Sequence, residues 1–208
     1  MLELIRMKRT RNPPTWQRGF TLIELMVTIS IAAILMMVAV PGMTAFKRNA
    51  ELTSATNTLL AAITAARSEA LKRGMSAMIV PTDAIDWNSG VVVFIDKDGD
   101  QAFTAANDIT VLTQPALASY FTITPGPNTQ TVGASSPYLM FNPSGFAQTR
   151  GGTVGVAAAS TLQIARNDLT GAGLLDQTRR IMVAGTGRVR TCKPKSATDT
   201  TCLMSNPN

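Results

Sequence analysis

Six basic side chains crowd the C-terminal end of this 208-residue chain: Arg179, Arg180, Arg188, Arg190, Lys193 and Lys195, with no acid between Asp176 and Asp199. Cations gathered this way attract anions, and a guanidinium matches the geometry of a phosphate bidentately. Residues 180–184 and 188–191, joined by Gly185-Thr186-Gly187, read as a hairpin. On its second strand Arg188 and Arg190 share a face while Val189 takes the other. Two guanidiniums about 7 Å apart suit successive phosphates of one nucleic-acid strand. Taken alone, the same charge run also reads as a solvated face. No aromatic residue follows Phe146, so the hairpin has no stacking platform of its own. If this face meets a nucleic acid, phosphate contacts should dominate, giving weak, salt-sensitive and sequence-tolerant binding.

Other chemistry is thinner. Asp96, Asp98 and Asp100 suggest a calcium loop, but the sixth and twelfth places from Asp96 hold Gln101 and Asn107, where an EF-hand needs Gly and Glu. A strand-ending turn, its acids screened by Lys97 and solvent, is expected instead of a metal site. Histidine is absent, which excludes Ser-His-Asp triads, Cys-His dyads and His-ligated metals. Two cysteines are too few for a structural zinc or iron–sulfur centre made by one chain. Neither an enzyme nor a cofactor is expected.

The elements that position these residues begin with a strongly patterned N-terminus. Residues 1–19 carry five basic residues against one acid, and residues 20–40 then contain a single charge, Glu24. A helix over 20–40 would be about 31 Å long and match the hydrocarbon core of a bilayer. The basic flank should stay in the cytoplasm. Val40-Pro41-Gly42 lacks a small-x-small cleavage site, unlike an ordinary signal peptide. Glu24 is costly in lipid and calls for a partner, unless it ionises at the interface. Past Pro41-Gly42, which could kink or melt the helix, Leu52, Ala55, Leu59, Ala62, Ala66 and Ala70 form an apolar face widened by Ile63. Lys72 and Arg73, followed by Gly74, suit a helix C-terminus near residue 73. Residues 75–208 then form a β-rich head, with strands expected at 77–80, 91–95, 109–112, 120–123, 138–141, 153–156, 162–165, 180–184 and 188–191. Residues 125–137 read as an exposed loop, and Gly171–Gly173 as a break. Close spacing without intervening helices predicts antiparallel pairing. With 45% hydrophobic and 15% charged residues, the chain can bury a core.

Arg18-Gly19-Phe20-Thr21-Leu22-Ile23-Glu24-Leu25 resembles the type III signal of type IV pilins and type II secretion pseudopilins. The segments 52–74 and 86–100 resemble the GspH/FimT branch of that group, and the likeness loosens from about 100 to 178. The resemblance implies an α+β, type IV pilin-like fold: a long N-terminal helix, transmembrane over 20–40 and amphipathic over 41–74, packed on an antiparallel β-sheet head. It implies that a prepilin peptidase cuts after Gly19 and methylates Phe20. Glu24 would then pair with the Phe20 amine of a neighbouring pilin, registering the subunits. Losing the leader lowers the net charge from +6 to +2. Without the six C-terminal cations the remainder would be −4, so positive charge is segregated at the hairpin.

Export to an oxidising compartment would favour a Cys192–Cys202 disulfide, stabilising the fold by about 3 kcal/mol. Free thiols or intermolecular pairing are the alternative. Gly187-Arg188-Val189-Arg190 resembles the GRxR motif of FimT-type pilins, which implies capture of extracellular double-stranded DNA for natural transformation. The expected protein is a minor pilin held by one pass in the inner membrane, its head periplasmic, and then moved into a surface pilus near the tip. The alternatives are a type II secretion minor pseudopilin and a pilus-priming subunit, each with protein partners only.

Overall fold

A computed structural model describes residues 19–132, 136–154, 158–196 and 198–205. The expected leader, residues 1–18, lies outside them. The chain divides into two units, one ending at Ala45 and one beginning at Phe46. Helix α1, Leu22–Arg73, contributes to both. Its backbone stays helical through Pro41 and Gly42, so the helix does not melt there.

In the first unit α1 opens on Thr21. The Thr21 hydroxyl accepts from the Glu24 N–H at 3.2 Å, and the Glu24 carboxylate accepts from the Thr21 N–H at 3.5 Å. This is the reciprocal cap in which a Thr and a Glu three residues on satisfy each other's backbone donors. Thr28 and Ser30 turn their hydroxyls onto the carbonyls of Leu25 and Met26, so neither needs water. Leu22, Ile23, Leu25, Ile29, Ile34 and Leu35 are all exposed. The stretch is long and apolar enough to cross a membrane.

In the second unit α1 buries one face. Leu52, Leu59, Ala62, Ile63, Ala66 and Ala70 are buried, with Ala55 half-buried. Thr56 joins them, its hydroxyl satisfied by the Leu52 carbonyl at 2.7 Å. Alanine at three of these places lets the sheets approach the helix closely. Glu69 holds Lys72 and Arg73 at 3.2 and 2.6 Å. Gly74, at φ 64°, ends the helix by donating its N–H to the Ala70 carbonyl.

Two antiparallel sheets follow. One has the order β3-β2-β1-β6-β5, built from β1 (Ala77–Pro81), β2 (Gly90–Ile95), β3 (Ile109–Pro115), β5 (Gln130–Val132) and β6 (Ser136–Phe141). The other has the order β4-β7-β8-β9, from β4 (Phe121–Pro125), β7 (Ser160–Arg166), β8 (Thr178–Val183) and β9 (Val189–Cys192). Alternation along the strands builds the main core: Ile79, Val93 and Phe141 from the first sheet and Leu162, Ile164, Ile181 and Val183 from the second meet the buried face of α1. Met78, Phe94, Tyr138 and Met140 point the other way and form a smaller cluster, on which Phe103 packs against Phe94 with ring centroids 5.1 Å apart. Among the described residues, every buried core residue follows Phe46, so the core lies within residues 46–208.

Three expectations are corrected. Residues 125–137 are not all loop, because Gln130–Val132 pairs with β6 and gains a ladder of backbone hydrogen bonds. The break at Gly171 instead opens a short helix, α2 (Gly171–Asp176). No strand forms at Thr153 and Val154, where Val154 makes only an isolated bridge to Gln148; residues 155 and 156 lie outside the described set.

Candidate nucleic-acid interface

The β8–β9 hairpin pairs Arg180 with Cys192, Ile181 with Thr191, Met182 with Arg190 and Val183 with Val189. Ile181 and Val183 face the main core, so Arg180, Met182, Arg190 and Cys192 face outward. That outward face is covered by the chain's own C-terminal segment. Cys192 and Cys202 form a disulfide with Cα atoms 5.9 Å apart, and a 3₁₀ turn spans Thr200–Cys202. Asp199 fastens the segment by accepting from the Lys195 and Thr201 N–H groups, each at 3.0 Å, and from the Thr201 hydroxyl at 2.7 Å. These donors hold the Asp199 carboxyl down at about 2.

The six cations separate into different roles. Arg180 is only 8% exposed. Its Nε donates to Gln163 Oε1 at 2.8 Å and its Nη1 donates to the Cys202 carbonyl. Burial pulls its guanidinium below the ordinary arginine value. The expectation that Arg180 contacts DNA is corrected: it lies buried beneath the C-terminal segment, with Nε and Nη1 bonded within the protein. Arg179 is half-buried and donates to the carbonyls of Asp176 and Thr178 and to Asn49 Oδ1. Lys193 pairs with Asp176 at 2.8 Å and holds that carboxyl below its usual range. Arg190 is half-buried, with Nη1 3.4 Å from the Thr201 carbonyl. Arg188 and Lys195 are exposed, and among the described residues neither is in an ion pair.

Arg188 stands on a fixed turn. The Ala184 N–H donates to the Arg188 carbonyl at 2.9 Å, extending the ladder by one residue and placing Arg188 on the face of Arg190. Gly187 has φ 78°, a conformation that favours glycine. A Cβ there would overlap the Gly145 carbonyl oxygen and come within 2.8 Å of Arg67 Nε. Gly187 therefore shapes the site through close packing. Arg67, on α1, donates to the Gly145 carbonyl at 2.9 Å and to the Thr186 carbonyl at 3.4 Å. The Ala147 N–H donates to the Gly185 carbonyl at 3.1 Å. The turn at 142–146 is itself locked, with Asn142 Oδ1 accepting from the N–H groups of Ser144 and Phe146.

Sequence reasoning missed Arg67, Gly145 and Phe146 as neighbours of the hairpin. The turn around Asn142-Pro143-Ser144-Gly145 was legible, but its docking on Gly185–Gly187 is a tertiary contact. Phe146 is 44% exposed, and both its chain neighbours touch the hairpin turn. The backbone of an exposed aromatic residue therefore lies against the hairpin turn, although no aromatic occurs later in the sequence.

The remaining candidates are placed as follows. Gly19 and Phe20 precede α1, and Phe20 is exposed. Glu24 caps its own helix. The acidic group that gathers is Asp96, Asp98 and Asp108, with ligand-type oxygens within 4.8 Å of one another; Asp100 is not part of it. Asp96 accepts from the Gly99 N–H, and Asp108 from the N–H groups of Lys97 and Thr104. These bonds close turns, and burial pushes the Asp96 carboxyl up.

A family model described as Type II transport protein GspH matches residues 55–187, and the prokaryotic N-terminal methylation motif matches residues 17–40. Among solved structures, the type IV minor pilin FimU of Pseudomonas aeruginosa is 21% identical, covering 73% of this chain and 98% of that one, with a TM-score of 0.49. The minor pseudopilin EpsH from the type 2 secretion system of Vibrio cholerae is 15% identical, covering 70% of this chain and 99% of that one, with a TM-score of 0.46. No curated protein sequence matches. Since the family model spans more than half of the 208 residues, and the methylation motif lies at the N-terminal end, the chain belongs to the family described as Type II transport protein GspH.

Proposed function

We propose that this minor pilin binds DNA through phosphate contacts at the 184–188 turn, in the service of DNA uptake. The observation that carries the reading is Arg188: an exposed guanidinium on a turn fixed by Gly187 and by Arg67. Arg190 and Lys195 extend the positive surface, while Arg179, Arg180 and Lys193 act mainly by holding it together. Phosphate contacts of this kind are indifferent to sequence, which suits uptake of arbitrary DNA. No catalytic step or cofactor is part of the proposal.

The N-terminus supplies assembly. A prepilin peptidase cleaves after Gly19 and methylates Phe20. The apolar stretch of α1 holds the subunit in the inner membrane with its head outside. On assembly Glu24 leaves its cap on Thr21 and meets the Phe20 amine of another pilin.

The test is a salt titration of duplex DNA binding by residues 46–208, within which the core lies, compared with Arg188→Ala and Arg190→Ala. Each variant should bind more weakly across all sequences, with a salt slope reduced by roughly one for each lost phosphate contact. Absence of wild-type binding at low salt, even with the head displayed multivalently, would sink the DNA reading and leave protein partners alone.

A further inference from the structure

The basic hairpin offers charge to a nucleic acid but no surface for a base, and the neighbouring turn supplies one. Phe146 is held by a hydrogen bond from its own N–H to Asn142 Oδ1 and another from the Asn142 N–H to its carbonyl, both at 3.0 Å. On one side of it, the Gly145 carbonyl abuts Gly187 and accepts from Arg67. On the other, Ala147 bonds to Gly185. The backbone of Phe146 is thus tied to the turn that carries Arg188, while the residue is 44% exposed. Leu71, 51% exposed, packs under Gly145 and widens the apolar ledge. An exposed phenylalanine alone means little. One whose backbone is fixed against the turn of an exposed arginine, which is in no ion pair among the described residues, brings together the two elements that single-strand binders use, a cation for the backbone and a ring for the base.

We propose that Phe146 is a base-stacking platform and that the site takes single-stranded DNA, with one unpaired base on the ring and an adjoining phosphate on Arg188. This rests on the reading of the hairpin as a DNA contact and extends it. In a duplex the bases are already stacked on one another, so duplex DNA engages the cations alone. A single strand, a frayed end or a gap engages both.

The experiment measures binding of residues 46–208 to labelled oligo-dT and to a duplex of equal phosphate number at low salt. Phe146→Ala should weaken oligo-dT binding by about five- to a hundredfold, the usual range for losing one stacked base, and leave duplex binding within about twofold. Phe146→Tyr should retain oligo-dT binding, and Arg188→Ala should weaken both ligands. A Phe146→Trp head gives a direct signal, because the native Trp87 is only 1% exposed. Oligo-dT should quench the new indole, and duplex should not. The inference is overturned if Phe146→Ala weakens both ligands equally or neither, or if oligo-dT leaves the new tryptophan unquenched. If the alanine variant lowers thermal stability, the Tyr and Trp variants decide. Duplex binding with oligo-dT binding indifferent to Phe146 defeats this inference alone. Failure of wild type to bind either ligand defeats the DNA reading as well.

Discussion

Arg180 and Arg188 sit on one hairpin and carry the same charged group, yet their surroundings put them to opposite uses. Arg180 lies on a strand whose outward face is roofed by the disulfide-bonded segment, and it bonds to Gln163 and Cys202. Arg188 lies exposed at the turn and, among the described residues, enters no ion pair. A buried guanidinium holds structure because leaving its partners unsatisfied is costly. An exposed one contributes little to stability and is available to a ligand. Counting cations in a sequence therefore overstates a binding surface wherever some of them are structural.

The contrast can be broken first at the roof. Replacing Cys192 and Cys202 with Ser should destabilise the head by about 3 kcal/mol, measured by urea denaturation, because the closed loop no longer restricts the unfolded chain. If stability is unchanged, the segment is not the cover that makes Arg180 structural. Next, Arg180→Ala should cost about 2 kcal/mol, since the Cys202 carbonyl and Gln163 lose their donors. Arg188→Ala should stay within about 0.5 kcal/mol of wild type; equal losses in the two variants would erase the distinction. Gly187→Ala should cost about 1–2 kcal/mol from the left-handed backbone and the overlap with Gly145. It should also weaken DNA binding although it removes no charge. Unchanged binding would mean that the turn need not be fixed.

The smallest effect is the most local. Asp199 titrates at about 2 in the folded protein, against an ordinary 3.8. A carboxyl lowered by folding stabilises fully above its ordinary value, and that stabilisation drains away as pH falls through the folded one. Wild type should therefore be more stable than Asp199→Asn above pH 4, and the two unfolding midpoints should converge toward pH 2. Parallel curves across that window would show that Asp199 does not fasten the roof through its charge.

Much of the fold was legible because one-dimensional periodicity governs it. The apolar face of α1 appeared in the spacing of Leu52, Leu59, Ala62, Ala66 and Ala70, and Gly74 marked its end. Long strands such as β2 and β7 announced themselves through runs of Val, Ile and Leu. β5 did not, because Gln130-Thr131 is polar and the strand exists by pairing with β6. Helix α2 was obscured by its two glycines, which penalise helix without forbidding it. At the site, the cations and the hairpin were readable. Their division into held and available groups was not, since it depends on a C-terminal segment folding back across β8. Nor was Phe146, which reaches the hairpin through contacts between turns distant in sequence.

Arg67 joins the Gly145 and Thr186 carbonyls directly to α1. Mechanically, this makes the head something other than a passive bead. A pull applied at the 184–188 turn reaches α1 through that side chain as well as through β8, β9 and the Ala147–Gly185 bond. A ligand held at this turn would then be coupled to α1 at residue 67 by a short linkage. Arg67 would be where that linkage gives way.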